Sequence, residues 1–186
     1  MLNYIHSGLN LKKKVILTLD IKKAFDTISH PIMLYKLFRC GIDYKTLQWF
    51  TSYLADRKQF IYCNGKSSTT RTIPMGIGQG SLLGSLLFVI YINEITNIGL
   101  EGDVFLYADD TNLIFTGNSF NDLATIINRN LLKLNDWLSE NRLTLNVEKT
   151  NYLIINLSVD RHLILTWKSM VNLLNVLLKR KFWVFY

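Results

Sequence analysis

The sequence predicts an α+β domain, an antiparallel sheet covered by helices on one face. Three observations carry that expectation. Short β-branched and aromatic runs are bounded by turn residues, longer stretches place apolar residues at helical spacing, and these alternate in a definite order along the chain. With the early helices and hairpin treated as an insertion, the order is β-α-β-β-α-β. That is the split βαβ, ferredoxin-like arrangement. At 186 residues the chain has the length of one domain with a substantial core.

Each element has its own local signal. Val15-Ile16-Leu17-Thr18-Leu19 reads as a buried strand delivering Asp20 at its end. Ser29-His30-Pro31 reads as a helix start, with the helix running to about Cys40 and stopping at Gly41. A second helix begins near Asp43, with Leu47, Phe50 and Leu54 on one face. Phe60 to Cys63, then Asn64-Gly65, reads as a hairpin with a type I′ turn. A Gly-rich loop, Met75 to Gly80, leads into an apolar helix from about Ser81 to Thr96, expected to be buried. Val104 to Tyr107 and Leu113 to Thr116 read as strands joined tightly through Ala108-Asp109-Asp110. Ser119 and Asp122 resemble a capping box, opening a helix with Leu123, Ile127, Leu131, Leu134 and Leu138 on one face. Tyr152 to Ile155 reads as the last strand.

Composition narrows the classes. With 49% hydrophobic and 19% charged residues the chain is globular, not disordered. No repeat or flexible linker is apparent. The formal charge of +7 suits a polyanionic partner such as nucleic acid, or an anionic membrane surface. The apolar run Leu82 to Ile92 is too short to span a bilayer, and Met1 to Leu11 lacks a secretory pattern. The expectation is an intracellular protein, in nucleus or cytoplasm, with no membrane partner. Cys40 and Cys63 make neither a disulfide framework nor a metal cluster and are expected to pack as small apolar residues.

Three acids stand where strands end. Asp20 closes the first strand, and Asp109-Asp110 turns between the second and third. In such a sheet the first and second strands are expected side by side, which would bring these acids together. Adjacent carboxylates need a counter-charge, and Mg2+ is a hard ion suited to oxygen ligands. Two such ions could clamp the attacking and leaving oxygens of a phosphoryl transfer. The alternative is that Asp-Asp makes a hairpin turn and Asp20 caps the next helix; position alone leaves both open.

The motifs carry a resemblance. Leu19-Asp20-Ile21-Lys22-Lys23-Ala24-Phe25-Asp26 resembles motif A of reverse transcriptases, and Gly76 to Leu87 resembles motif B. Tyr107-Ala108-Asp109-Asp110 matches the motif C signature. Trp137-Leu138-Ser139-Glu140-Asn141-Arg142-Leu143 through Asn146, then Lys149-Thr150, resembles motif D. The four stand in the family's order from about Leu9 to Leu157. The chain is thus identified as resembling the RNA-directed DNA polymerases of non-LTR retrotransposons, of the LINE and jockey-like kind.

The resemblance implies a polymerase palm over residues 1–157, with a partial fingers edge, and a truncated post-palm or thumb remnant over 158–186. It implies Asp20 and Asp109 as principal metal ligands, Asp110 as a supporting carboxylate and the Ile21 carbonyl as a further contact. Two Mg2+ ions are implied, with Mn2+ as the alternative. Ile21, Ala24 and Phe25 are implied substrate contacts, the Phe25 ring excluding a 2′-hydroxyl; the competing reading of Phe25 is a core residue. Gln79 and Gly80 would lie along the incoming nucleotide and template base, and Lys149 would protonate the leaving pyrophosphate. The implied partners are an RNA template, a DNA primer and deoxynucleoside triphosphates. The family's fingers and thumb are expected from sequence outside this chain.

There are departures. Gly78 stands where motif B normally carries Pro, as does Ser85, and both loosen a segment that should be preorganised. Motif E has no clear copy. Two rivals therefore stay open: an inactive retrotransposon remnant that at most binds nucleic acid, and a palm-fold enzyme of another kind such as a nucleotidyl cyclase.

Overall fold

The computed structural model describes residues 13–107 and 110–155. In chain order the elements are β1 (Lys13–Leu19), α1 (His30–Arg39), α2 (Tyr44–Leu54), then four two-residue strands. These are β2 (Lys58–Gln59), β3 (Tyr62–Cys63), β4 (Lys66–Ser67) and β5 (Arg71–Thr72). Next come α3 (Leu82–Ile92), a 3-10 turn (Asn93–Asn97), β6 (Asp103–Tyr107), β7 (Asp110–Gly117), α4 (Phe120–Glu140) and β8 (Asn151–Ile155). The chain divides into two compact units. Of the described residues, one holds 13–22, 95–107, 110–138 and 144–155; the other holds Lys23–Glu94 and Ser139–Leu143. The proposed boundary at residue 158 lies outside the described residues.

In the first unit β1, β6, β7 and β8 form one antiparallel sheet in the order β6-β7-β1-β8. This corrects one expectation: β1 lies beside the third sheet strand, β7, and not beside the second, β6. The reason is the tight β6–β7 connection. A hairpin pairs its own two strands, so β6 occupies one edge of β7 and β1 takes the other. Val15 and Leu17 stand opposite Phe115 and Leu113, all buried, while Ile16 and Ile114 pack with Phe105 from the other face. Burial of both faces explains the unbroken apolar run of β1 where a half-exposed strand would alternate.

Helix α4 starts as expected: Ser119 Oγ accepts from the Asp122 amide at 3.1 Å, and the Asp122 carboxylate accepts from the Asn118 amide at 3.0 Å. Leu123, Ile127, Leu134 and Leu138 are buried, but Leu131 is only half-buried and Asn130 is buried instead. Hydrogen bonding accounts for that substitution. Asn130 accepts from the Glu101 amide at 2.8 Å and donates to the Ile126 carbonyl at 2.7 Å, while Lys133 donates to the Gly99 carbonyl at 2.6 Å. These bonds fix the helix to the approach to β6.

In the second unit α1 has Pro31 in its first turn and ends before Gly41, whose φ of 86° is the left-handed stop the sequence signals. Asp43 caps α2, accepting from the Thr46 amide at 3.1 Å. The Asn64-Gly65 turn has positive φ at both residues, 50° and 74°, as a type I′ turn demands. Two expectations are corrected. Helix α3 buries Gly84, Leu87, Phe88, Tyr91 and Ile92, yet Leu82, Leu86 and Val89 are exposed, because positions i, i+4 and i+7 lie on the opposite face. Cys40 and Cys63 are both exposed rather than packed: one comes just after the last turn of α1 and the other sits on the hairpin. Among the described residues no helix is long and apolar enough to cross a membrane.

Candidate active site

The carboxylates are placed by strand register. The last paired rung of β1 and β7 is Leu19↔Thr111. Asp20 directly follows and Asp110 directly precedes that rung, so the register continued by one step would set the two acids opposite each other. Directly opposed residues share a face, with Cβ atoms about 4.5–5.5 Å apart. On the next rung of the same face, Thr18 Oγ1 donates to Asn112 Oδ1 at 2.7 Å, tying the two strands beneath the acids. Asp20 is half-buried and Asp110 exposed. Asp109, with Ala108, lies outside the described residues, and among the described residues no three His, Cys, Asp or Glu gather as a metal-binding group.

The segment after α4 runs alongside the Asp20 end of β1. Ile21 and Leu145 form an isolated antiparallel bridge, in which the Lys22 amide donates to the Thr144 carbonyl at 2.8 Å and the Asn146 amide to the Asp20 carbonyl at 2.7 Å. That pairing uses the groups of Asp20 and Lys22 and directs the carbonyl of Ile21 away from Leu145. Ile21 itself is buried. Lys149 is exposed in the next turn, its amide donating to the Asn146 carbonyl at 3.2 Å. The first unit therefore brings Asp20, Ile21, Asp110 and the Lys149 turn to one end of its sheet.

The remaining candidates belong to the second unit. Ala24 and Phe25 are half-buried in a turn, and the Phe25 ring stacks on the buried Phe88 ring at 4.8 Å between centroids. The turn is joined to the Gly-rich loop by backbone. The Gly76 amide donates to the Ile28 carbonyl at 2.7 Å, and the Ile77 amide to the Phe25 carbonyl at 2.9 Å. Gly76 has a φ of 89°, and a Cβ on it would stand 2.8 Å from the Asp26 carbonyl oxygen, so no other residue fits. Gln79 and Gly80 are exposed at the loop's end, with the Gln79 amide nitrogen 3.4 Å from the Asp26 carboxylate.

Several positioning residues escaped the sequence reading. Thr150 Oγ1 accepts from the Asp20 amide at 3.4 Å and donates to the Asn146 carbonyl at 2.8 Å. His30 Nε2 lies 2.8 Å from the Gly76 carbonyl oxygen, and Arg57 Nη1 reaches the same oxygen at 3.5 Å. Gly84 leaves room for the Gly78 carbonyl, from which a Cβ would be only 2.2 Å. The contacts of Thr150 with Asp20 and of His30 and Arg57 with Gly76 join distant segments, for which linear spacing gives no signal.

The model of the family described as reverse transcriptase (RNA-dependent DNA polymerase) matches residues 5–176. The RNA-directed DNA polymerase from mobile element jockey of Drosophila funebris is 29% identical over 138 residues, 70% of this chain and 15% of that protein. The Pol polyprotein from type-1 retrotransposable element R2 of Popillia japonica is 35% identical over 80 residues, 43% of this chain and 13% of that protein. The chain thus spans a small part of these relatives' length. Among solved structures, telomerase from Candida tropicalis in complex with a TWJ fragment of telomeric RNA matches with a TM-score of 0.60 at 12% identity. That match covers 82% of this chain and 27% of the telomerase chain, and it speaks for the fold alone. With a family model matching nearly all of it, and motifs A to D in order, this chain belongs to the reverse transcriptase family.

Proposed function

We propose that this chain is the palm of an RNA-directed DNA polymerase of the LINE and jockey kind, adding deoxynucleotides to a primer 3′-hydroxyl along an RNA template. The observation that supports the reading is that Asp20 and Asp110 flank the last paired rung of β1 and β7, at one end of the sheet. An all-oxygen donor set on paired acids fits a hard divalent cation, Mg2+ or alternatively Mn2+. Asp20, Asp109 and Asp110, with the Ile21 carbonyl, would hold two such ions, which when bound neutralise charge on the attacking and leaving oxygens.

The chain's own residues do the positioning. Phe25, steadied by its stack on Phe88, presents an aromatic edge that excludes a 2′-hydroxyl and selects deoxynucleotides. Gln79 and Gly80 sit at the exposed tip of a loop held by backbone bonds and line the nucleotide and template base. Lys149, an exposed cation, offers a proton or its charge to the departing pyrophosphate. An RNA template and DNA primer are the partners, in keeping with the net charge of +7.

Primer extension on poly(rA)/oligo(dT) with Mg2+ tests the reading. The chain should incorporate nucleotides, and Asp20→Asn or Asp109→Ala should reduce incorporation about a hundredfold or more through lost charge stabilisation. No incorporation by the unaltered chain, with template binding intact, would leave an inactive remnant that binds nucleic acid.

A further inference from the structure

Residues 58–72 form a ribbon in which every residue is exposed. β2 pairs with β5 through Lys58↔Thr72 and Gln59↔Arg71, and β3 with β4 through Tyr62↔Ser67 and Cys63↔Lys66. Ile61 and Ser68 link the two pairs: the Ser68 amide donates to the Ile61 carbonyl, and Ser68 Oγ accepts from the Ile61 amide, both at 2.8 Å. Thr69 and Thr70 then stand against Phe60 alone, a bulge that sharpens the twist.

A two-stranded ribbon bare on both sides is marginal in water. This one also displays Phe60, Ile61 and Tyr62 at 56%, 65% and 68% exposure. Strand alternation sets Lys58, Phe60 and Tyr62 on one face, a cation and then two aromatic rings. From Arg57 to Asn93 the sequence contains four cations, Arg57, Lys58, Lys66 and Arg71, and no Asp or Glu. Among the described residues Lys58, Lys66 and Arg71 enter no ion pair. An apolar protein surface would cover the rings and leave Lys58 unmatched in this acid-free stretch, whereas a polyanion with exposed planar bases satisfies the rings and the cation together.

We propose that this ribbon is a docking strip for single-stranded nucleic acid, with Phe60 and Tyr62 as stacking platforms and Lys58 on the phosphates of the same face, while Lys66 and Arg71, paired with Cys63 and Gln59, lie on the other face. The strip deepens the polymerase reading, on which it rests for the nature of the partner, but it needs neither metal nor nucleotide. Stacking on exposed rings beside a cation is tolerant of sequence and sensitive to salt.

Fluorescence anisotropy of labelled 20-nucleotide oligo(rU) and oligo(dT), with the full chain in EDTA, tests the strip apart from catalysis. Phe60→Ala/Tyr62→Ala should weaken binding about 25-fold or more, about fivefold for each ring, with the salt slope unchanged. Lys58→Gln should lower that slope by about 0.7, whereas Lys66→Gln/Arg71→Gln, on the other face, should leave it unchanged. Lys45→Gln, an exposed lysine of α2, should bind as the unaltered chain does. The replaced ribbon residues are all exposed, so thermal melts should not move. Tighter binding of oligo(rU) assigns the strip to the template, and tighter binding of oligo(dT) to the primer strand; either supports it. Ribbon variants within twofold of the unaltered chain, or equal affinity for blunt duplex RNA of the same length, would overturn the strip while leaving the extension test of Asp20→Asn untouched.

Discussion

Replacing Gly84 with alanine should destabilise the second unit, although helix propensity by itself favours the change. Gly84 is the third residue of α3, where alanine would ordinarily gain about 0.8–1.0 kcal/mol. Here its Cβ would lie 2.2 Å from the Gly78 carbonyl oxygen and 2.8 Å from Ser81 Oγ. That hydroxyl is the helix cap: it accepts from the Gly84 amide at 2.9 Å and donates to the Gly78 carbonyl at 3.1 Å. The methyl group thus enters the middle of the cap, and the loop must move away. Overpacking costs about 1–3 kcal/mol and a lost cap about 1 kcal/mol, so after the propensity gain the net loss is roughly 1–3 kcal/mol. Urea denaturation at constant slope reads it directly. Ser81→Ala serves as the reference, losing the cap alone for about 1 kcal/mol. A Gly84→Ala midpoint at or above that of the unaltered chain would mean that the helix and loop do not meet as described.

Buried polar groups and exposed apolar ones lead to other outcomes. Lys36 is buried on α1, donating to the Tyr91 carbonyl at 2.8 Å and to the Glu94 carboxylate at 2.6 Å, and burial holds its pKa below the usual 10.5 despite that carboxylate. Between the lowered pKa and 10.5 the unfolded chain binds a proton that the folded chain lacks, so this group's contribution to stability rises with pH. The stability difference between the unaltered chain and Lys36→Met should therefore shift in favour of lysine across the alkaline range, and a difference flat with pH would contradict it. Asn130→Ala should cost about 1–3 kcal/mol by urea titration, because the Glu101 amide and Ile126 carbonyl lose their partner. Leu82→Lys/Leu86→Lys should reduce hydrophobic dye binding and raise soluble yield without moving the melting temperature, since both side chains are exposed on α3. A lower melting temperature would show that this face is packed.

Much of the architecture was legible because single residues announce element ends. Gly41, Asp43, Asn64-Gly65 and Ser119 each mark a stop, cap or turn whose backbone requirement few other residues meet, and each stands where the sequence places it. Asp20 and Asp110 were legible as strand-end residues, but their neighbours were not. Linear order does not say which edge of β7 is free, and only the hairpin between β6 and β7 decides that β1 takes it. Helix faces fail for a related reason. Asn130 reads as a polar, exposed position until Glu101 supplies it with partners, and Leu82 and Leu86 read as core until the helix is seen to bury its other side. Periodicity identifies a face; the partner for that face is a property of distant residues.

The same distinction bears on whether Gly78 marks decay. Where the family's motif B carries Pro, stiffness comes from the chain itself, and glycine in that place suggests a slack loop. The loop here is instead tied from outside. Gly76 and Ile77 are hydrogen-bonded through their backbone to the Phe25–Ile28 turn, His30 and Arg57 converge on the Gly76 carbonyl oxygen, and Ser81 Oγ holds the carbonyl of Gly78. A side chain at position 78 would also press on Arg57, its Cβ 3.3 Å from Nη2. Glycine at 78 therefore gives up intrinsic stiffness and leaves room for the guanidinium that helps hold the loop. On the polymerase function proposed above, Arg57→Ala should then loosen the Gln79-Gly80 tip, raising the KM for nucleotide more than it lowers kcat, and a variant with unaltered KM would return Gly78 to the account of decay.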